Sequence, residues 1–448
     1  MSEWKGNKYM IKAIPNRLWN HFQSDSLFRN SVYLMISTGV MSVLGFAFWI
    51  FVARLFSTKD VGIATTLISV ITLLSNFSLL GLNTSLIRYL PKSTQRNDKI
   101  NSVLLLILIA SIFVSLIFLG GLNFFSPKLA FLQTKLFYIV TFVIFVIGLS
   151  YNTVVDSIFI AYRSTGNVLI KNSILSSLKL IFPLFFVFLG SYGVFASVGL
   201  ATLLSAFAGF IILLVRFQYQ PAFSFNKDVI REMAVFSGGN YVASFLSRAP
   251  NLVLPLFFIN HLSAETSAYF YVDMMILWSL AIVSDSTTQS LLAEGSHDET
   301  KLRGHFFKAT KFIFIFLVPA ILLIVLFGNI ILHAFGKDYA SAAFAFLQII
   351  SFSSIFMSIS SLATAILRIN HKIKTLIFMN ILGFILILGL SYLFIDKGLI
   401  GIGWGWLLGQ ALLALAYLVL IGKDLLSKKD LLIRFPFLKK IFIYLRIV

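Results

Sequence analysis

The sequence predicts an all-α polytopic membrane protein: about twelve transmembrane helices in two pseudo-symmetric six-helix lobes around a central cleft. Three observations carry that expectation: an apolar composition broken into blocks of membrane-spanning length, a lopsided partition of basic residues, and a weak repeat between the two halves. Of 448 residues, 58% are hydrophobic and only 12% charged, against about 25% charged in soluble domains. The apolar residues gather at 31–53, 62–86, 101–122, 136–161, 167–189, 193–215, 234–259, 266–291, 307–328, 340–366, 375–395 and 399–421. Each block matches the ~20 residues a helix needs to cross a hydrocarbon core of about 30 Å. A transmembrane barrel would instead alternate polarity over segments of about ten residues.

With the N-terminus placed in the cytoplasm, 28 of the 36 Lys and Arg fall in cytoplasmic segments. Six fall in outside loops (Arg54, Lys59, Lys128, Lys135, Lys337 and Lys397), and Lys179 and Arg248 lie inside spans. This is the positive-inside pattern, and it puts both termini on the cytoplasmic side of the membrane. The net charge of +19 then reflects orientation and contact with membrane lipids rather than a nucleic-acid partner. There is no cysteine, which excludes disulfides and thiol chemistry. The six histidines show no metal-ligand spacing and there is no P-loop, so neither a metal, a cofactor nor ATP hydrolysis is expected. Residues 1–29 are mixed and basic, and no cleavable signal peptide is expected.

The expected organisation is a basic cytoplasmic arm (1–30), a six-helix lobe (31–216), an interlobe linker (217–233), a second six-helix lobe (234–422) and a basic amphipathic tail (423–448) on the cytoplasmic surface. Connections are short, leaving no room for a soluble catalytic domain. The repeat is faint but consistent. LFSTKDVG (55–62) and LSAETSAY (262–269) each open the helix after the first span of a half, and Asn172 and Gly193 recur 208 residues later as Asn380 and Gly401. An even number of spans per half gives a pseudo-twofold axis along the membrane normal, with a substrate cleft between lobes.

Polar residues inside spans are the candidate functional groups, because charge at membrane depth is expensive and kept for a purpose. In span seven, Ser237, Tyr241, Ser244, Arg248, Asn251 and Pro255 fall on one narrow arc at helical spacing. Pro250 and Pro255 each remove a backbone donor there. Span one carries Ser31, Thr38, Ser42, Gly45 and Trp49 on one face, and span two carries Thr65, Ser69, Thr72, Asn76 and Asn83. The substrate-binding candidates are Arg248, Asn251, Tyr241, Ser244, Asn76 and Asn83. Span eight adds Asp273 and Asp285. Counted at about 1.5 Å per residue from the outer ends, Arg248 lies about 18 Å deep, Asp273 about 12 Å and Asp285 about 30 Å, which favours Asp273 as the neighbour of Arg248. Two readings stand: a structural Arg248–Asp273 ion pair, or an Arg248 that binds an anionic head group while Asp273 tunes it or carries a coupling proton. Lys179 either snorkels or pairs with Asp156.

FRNSVYLMISTG (28–39), ARLFSTKDVGIATTL (53–67) and GLNTSLIRYLPK (81–92) resemble the opening of prokaryotic polysaccharide and oligosaccharide flippases. These are relatives of multidrug-and-toxin extrusion transporters within one exporter superfamily. FGKDYASA (335–342) and GIGWGWLLGQ (401–410) resemble the later segments of that family, so the likeness covers nearly the whole chain. It implies a non-enzymatic alternating-access transporter for polyprenyl-(pyro)phosphate-linked oligosaccharide, serving cell-surface glycan assembly. It also implies Arg248 at the phosphate, H+ or Na+ as a coupling ion, and glycan assembly proteins as partners. Cation-coupled efflux of small amphipathic molecules is the alternative within transport. A membrane-embedded polymerase or glycosyltransferase is disfavoured by the short outside loops.

Overall fold

The structure is a computed structural model that describes residues 26–297 and 302–425. Most of the N-terminal arm and nearly all of the amphipathic tail expected from the sequence lie outside the described residues, as do the side chains of Ser31 and Ser237. The described residues contain no strand. Twelve long helices run through them: α1 (Ser26–Leu55), α2 (Thr58–Leu79), α3 (Arg96–Gly120), α4 (Leu136–Ala161), α5 (Thr165–Phe186), α6 (Ser191–Phe217), α7 (Lys227–His261), α8 (Ala264–His297), α9 (Leu302–Phe335), α10 (Lys337–Ile369), α11 (Ile373–Leu393) and α12 (Gly398–Leu425). Eleven are long and apolar enough to cross a membrane. The twelfth, α7, is 35 residues long, which suffices in length, and part of it lies outside the residues whose side chains are described. Large apolar side chains such as Phe113, Leu326 and Ile330 stand exposed along the helices, as a lipid-facing surface requires.

Each hairpin is set by local chemistry. The Ser57 hydroxyl accepts the Asp60 N–H at 3.1 Å and so caps α2, and Ser263 accepts the Thr266 N–H at 3.3 Å at the start of α8. The sequence pattern ran span two on to residue 86, but the chain turns at Leu80 (φ 50°) and Gly81 (φ 74°) and restarts as a short helix, Leu82–Tyr89. Asn83 therefore does not continue the polar stripe of Thr65, Ser69, Thr72 and Asn76. Left-handed backbone at two consecutive residues is incompatible with one continuous helix.

The described chain divides into two compact units. The first takes in residues up to Phe56 with Leu67–Gly238, and the second takes in Ser57–Thr66 with residues from Gly239 onward. Inside the second unit, Gly62 lies so close to the Ala264 carbonyl that a Cβ would come within 1.7 Å of its oxygen. In the first unit α3 packs on α4, α4 on α6, α6 on α5 and α5 on α1. In the second, α9 packs on α10, α10 on α12 and α12 on α11, with α8 against α9 and α10.

The repeat is thus visible in the packing order, and it extends to backbone detail at the offset of 208. Arg163 (φ 52°) and His371 (φ 54°) are both left-handed. Each closes its helix with the same bond, Ser164 N–H to Phe159 O and Lys372 N–H to Leu367 O, both 2.8 Å. A 3-10 turn precedes each of Gly190 (φ 55°) and Gly398 (φ 64°). At Gly193 and Gly401 a Cβ would sit 2.0 and 2.1 Å from the carbonyls of Phe186 and Phe394.

Candidate functional site

The second unit encloses a cavity of about 510 Å³ between α7, α8, α10 and α11, within the usual range for small-molecule sites. Helix α7 supplies Ser244, Ser247 and Arg248, and α8 supplies Trp278, Ser284 and Asp285. Helix α10 contributes Ser354, Ser358, Ser361, Thr364 and Arg368, and α11 contributes Asn380. The serine spacing on α10 is helical, so one face is lined with hydroxyls. Most of their protons are already committed: Ser354 donates to Ser351 O at 2.6 Å, Ser358 to Ser354 O at 2.7 Å and Thr364 to Ser361 O at 2.7 Å. Ser284 and Ser358 share a short hydroxyl–hydroxyl bond across the helix pair. The oxygens remain as acceptors, while Arg248 and Arg368 are donors only. Both guanidinium groups are exposed and make no ion pair among the described residues.

Of the predicted arc on α7, Ser244 and Arg248 reach this cavity. Tyr241 is half-buried with its ring 6.1 Å from that of Phe245, and Asn251 is half-buried with an unbonded Oδ1, neither lining the cavity. Asn76 donates to Thr72 O at 2.8 Å, and Thr65 and Thr72 bond carbonyls of their own helix, so the stripe on α2 is satisfied locally.

Of the two readings of Arg248, the ion pair with Asp273 is not formed. Asp273 is fully buried, and among the described residues neither of its carboxyl oxygens has a hydrogen-bond partner. Asp285 instead lines the cavity with Arg248. Depth along the membrane favoured Asp273, but the two acids point about 120° apart on α8. Azimuth decides which one reaches the cavity that Arg248 lines. Arg368 was missed because it sits near a helix end and counts as a loop charge.

The first unit corrects the other predicted pair. Asp156 is joined by Lys171 rather than Lys179, at 3.1 Å. The Lys171 ammonium also donates to Asn152 Oδ1 at 2.6 Å and Asn152 O at 3.3 Å, and its side chain is fully buried. Gly209 makes room for it, since a Cβ there would press on Lys171 Cδ at 3.0 Å and Val155 Cγ1 at 2.6 Å. Ser205 donates to Lys171 O at 2.9 Å, so α4, α5 and α6 meet at this cluster. Lys171 had counted as a cytoplasmic charge. Asp156 lies five residues before the end of α4 and Lys171 six after the start of α5, and that equal depth was the overlooked signal. Lys179 sits over two rings, 4.4 Å from the Phe48 centroid and 5.7 Å from that of Trp49.

A sequence model of the polysaccharide biosynthesis protein family matches residues 27–276, and the MatE model matches residues 256–393. No curated protein matches the chain significantly. Among solved structures the chain is similar to a multidrug resistance MATE family transporter of the MOP superfamily in its inward-facing conformation, with TM-score 0.70, 15% identity and coverage of 90% of this chain and 98% of that one. It is also similar to an outward-facing MATE transporter of that superfamily, with TM-score 0.57, 15% identity and coverage of 89% and 95%. A third is a MOP superfamily transporter from Pyrococcus furiosus described as having a binding pocket of reverse polarity, with TM-score 0.54, 15% identity and coverage of 89% and 95%.

Proposed function

The chain belongs to the polysaccharide biosynthesis protein family and has the fold of the MOP superfamily transporters, and from that premise we propose that it flips polyprenyl-(pyro)phosphate-linked oligosaccharide across the cytoplasmic membrane by alternating access. The observation that carries this reading is the cavity of the second unit, with two unpaired guanidinium groups beside a wall of hydroxyl acceptors. A guanidinium matches phosphate oxygens in fork geometry. Serine oxygens whose own protons are committed accept from sugar hydroxyls, and Trp278, 40% exposed, offers a ring face to a sugar. Arg248 is assigned to the phosphate, and Ser244, Asp285 and Asn380 to the sugar. Asp273 is the candidate carrier of a coupling proton, because an unpartnered carboxyl is far cheaper to bury neutral than ionised.

Reconstituted protein is expected to move labelled polyprenyl-linked glycan between leaflets, read as loss of accessibility to an external glycosidase. Folded protein that moves none overturns the reading. Imposed proton and sodium gradients identify the driving ion, and Asp273→Asn is expected to abolish the response to a proton gradient while leaving passive exchange. A second reading, cation-coupled efflux of small amphipathic molecules, draws on the match to the MatE model at residues 256–393 and on Trp278 and Asp285 in the lining of the same cavity. Drug accumulation in cells lacking other pumps separates the two.

A further inference from the structure

The first unit has a cavity of about 740 Å³, separate in its lining from the one described above. It is formed by the start of α3, the end of α4 and the segment after α6. Three spans, Arg96–Gly120, Leu136–Ala161 and Ser191–Phe217, begin or end at its walls. Their common limit is where hydrocarbon gives way to lipid head groups. Tyr162 and Phe217 stack there with centroids 4.9 Å apart and planes 12° apart, resting on the apolar core of the unit. The Arg96 guanidinium lies 5.8 Å over the Tyr162 ring, a contact that covers its face and leaves its N–H edges for a ligand. Asp98, also exposed, lines the same cavity. Neither Arg96 nor Asp98 makes an ion pair among the described residues, although they are opposite in charge and two residues apart.

The far wall is built rather than loose. Asn101 donates to Gln220 O at 3.1 Å and accepts from the Tyr219 hydroxyl, while Ser102 accepts the Asn226 N–H at 2.9 Å. Burial pushes the Tyr219 phenol up to about 12, which keeps it a donor. These bonds hold Gln218 and Gln220 at the cavity.

We propose that this cavity binds the head group of a zwitterionic aminophospholipid, its phosphate on Arg96 and its ammonium on Asp98. A purely anionic head group would meet the Asp98 carboxylate, and a choline head group has no N–H to donate to it.

The test uses purified full-length chain in neutral detergent with dioctanoyl phosphatidylethanolamine, phosphatidylglycerol and phosphatidylcholine, binding being read by native mass spectrometry. Phosphatidylethanolamine is expected to bind about tenfold more tightly than the other two, the effect of one charge-assisted hydrogen bond. Asp98→Asn is expected to remove that preference and to strengthen phosphatidylglycerol. Arg96→Gln should weaken all three. Wild type that prefers phosphatidylglycerol, or Asp98→Asn that retains the preference for phosphatidylethanolamine, overturns the assignment. Both side chains are exposed, so unliganded melting temperatures should match wild type. Binding is read without transport, so a failed flipping assay has no bearing on the result.

Discussion

In the first unit Lys171, Asp156, Asn152 and Ser205 tie three helices together at the interior. At the offset of 208 the second unit has Met379, Thr364 and Ser360 in the places of the first three. Met379 is buried, Ser360 keeps an unbonded hydroxyl, and Thr364 lines the open cavity. Asn172, conserved in kind between the halves as Asn380, donates to Ser37 at 3.1 Å in the first unit and faces the cavity in the second. The order α3–α4–α6–α5 of the first unit recurs as α9–α10–α12–α11 in the second. The ionic cluster is therefore not what specifies that four-helix order, as expected if buried ion pairs add little over well-packed neutral side chains. What differs is the interior: one unit is filled by a lysine side chain and its oxygens, and the other leaves space rimmed with hydroxyls and arginines.

The sharpest way to break this comparison is to give the first unit the residue of the second. Lys171→Met leaves Asp156 unpaired, which should cost about 3 kcal/mol, the low end of the range for a broken buried pair, because Asp156 is 25% exposed. Adding Asp156→Thr should recover most of that loss. Thermal unfolding in detergent reads both, and a neutral single variant would mean that the cluster is not a structural plug. Next come Gly193→Ala and Gly401→Ala. Each added methyl meets a backbone carbonyl at nearly the same distance, so each should destabilise by about 2 kcal/mol. Unequal costs would weaken the repeat.

Function should differ between the units. Arg248→Ala should reduce glycan flipping at least tenfold with unchanged melting temperature, since the side chain is exposed and unpaired. Lys179→Met should reduce it far less, because its ammonium is already engaged by Phe48 and Trp49. Charge reversal refines this. If Arg248→Asp with Asp285→Arg restores flipping, the pair acts as a structural dipole rather than as a phosphate site.

Spans were legible because bilayer thickness imposes a length on apolar blocks, a constraint that tertiary packing does not blur. The repeat was legible at Gly193 and Gly401, where only hydrogen fits beside a carbonyl. Side-chain pairing was less so. Depth allows Arg248 to pair with Asp273 and proximity allows Lys179 to pair with Asp156, and neither pair forms. Which way a residue faces depends on helix rotation, and rotation is set by neighbours such as Gly209 that clear a path for one lysine and not another. Asn83 was misplaced for a local reason: the apolar run continues through Leu80 and Gly81, and hydropathy is blind to a turn made by backbone angles.

The smallest expected effect tests the repeat at its turns. Arg163 and His371 hold the left-handed conformation that closes α4 and α10, at φ 52° and 54°. A side chain there costs roughly 1–2 kcal/mol relative to the right-handed form, whereas glycine adopts it freely and in exchange loses about 0.5–1 kcal/mol more entropy on folding. The balance predicts that Arg163→Gly and His371→Gly each stabilise the protein slightly, by about 0.5 kcal/mol. Alanine at either position keeps the strain and should gain nothing. A matched gain at both sites would mean that the repeat extends to backbone energetics. A gain at one site alone would point to a second role for the other side chain, and Arg163, beside the Tyr162 ring that floors the lipid pocket, is the one to examine first.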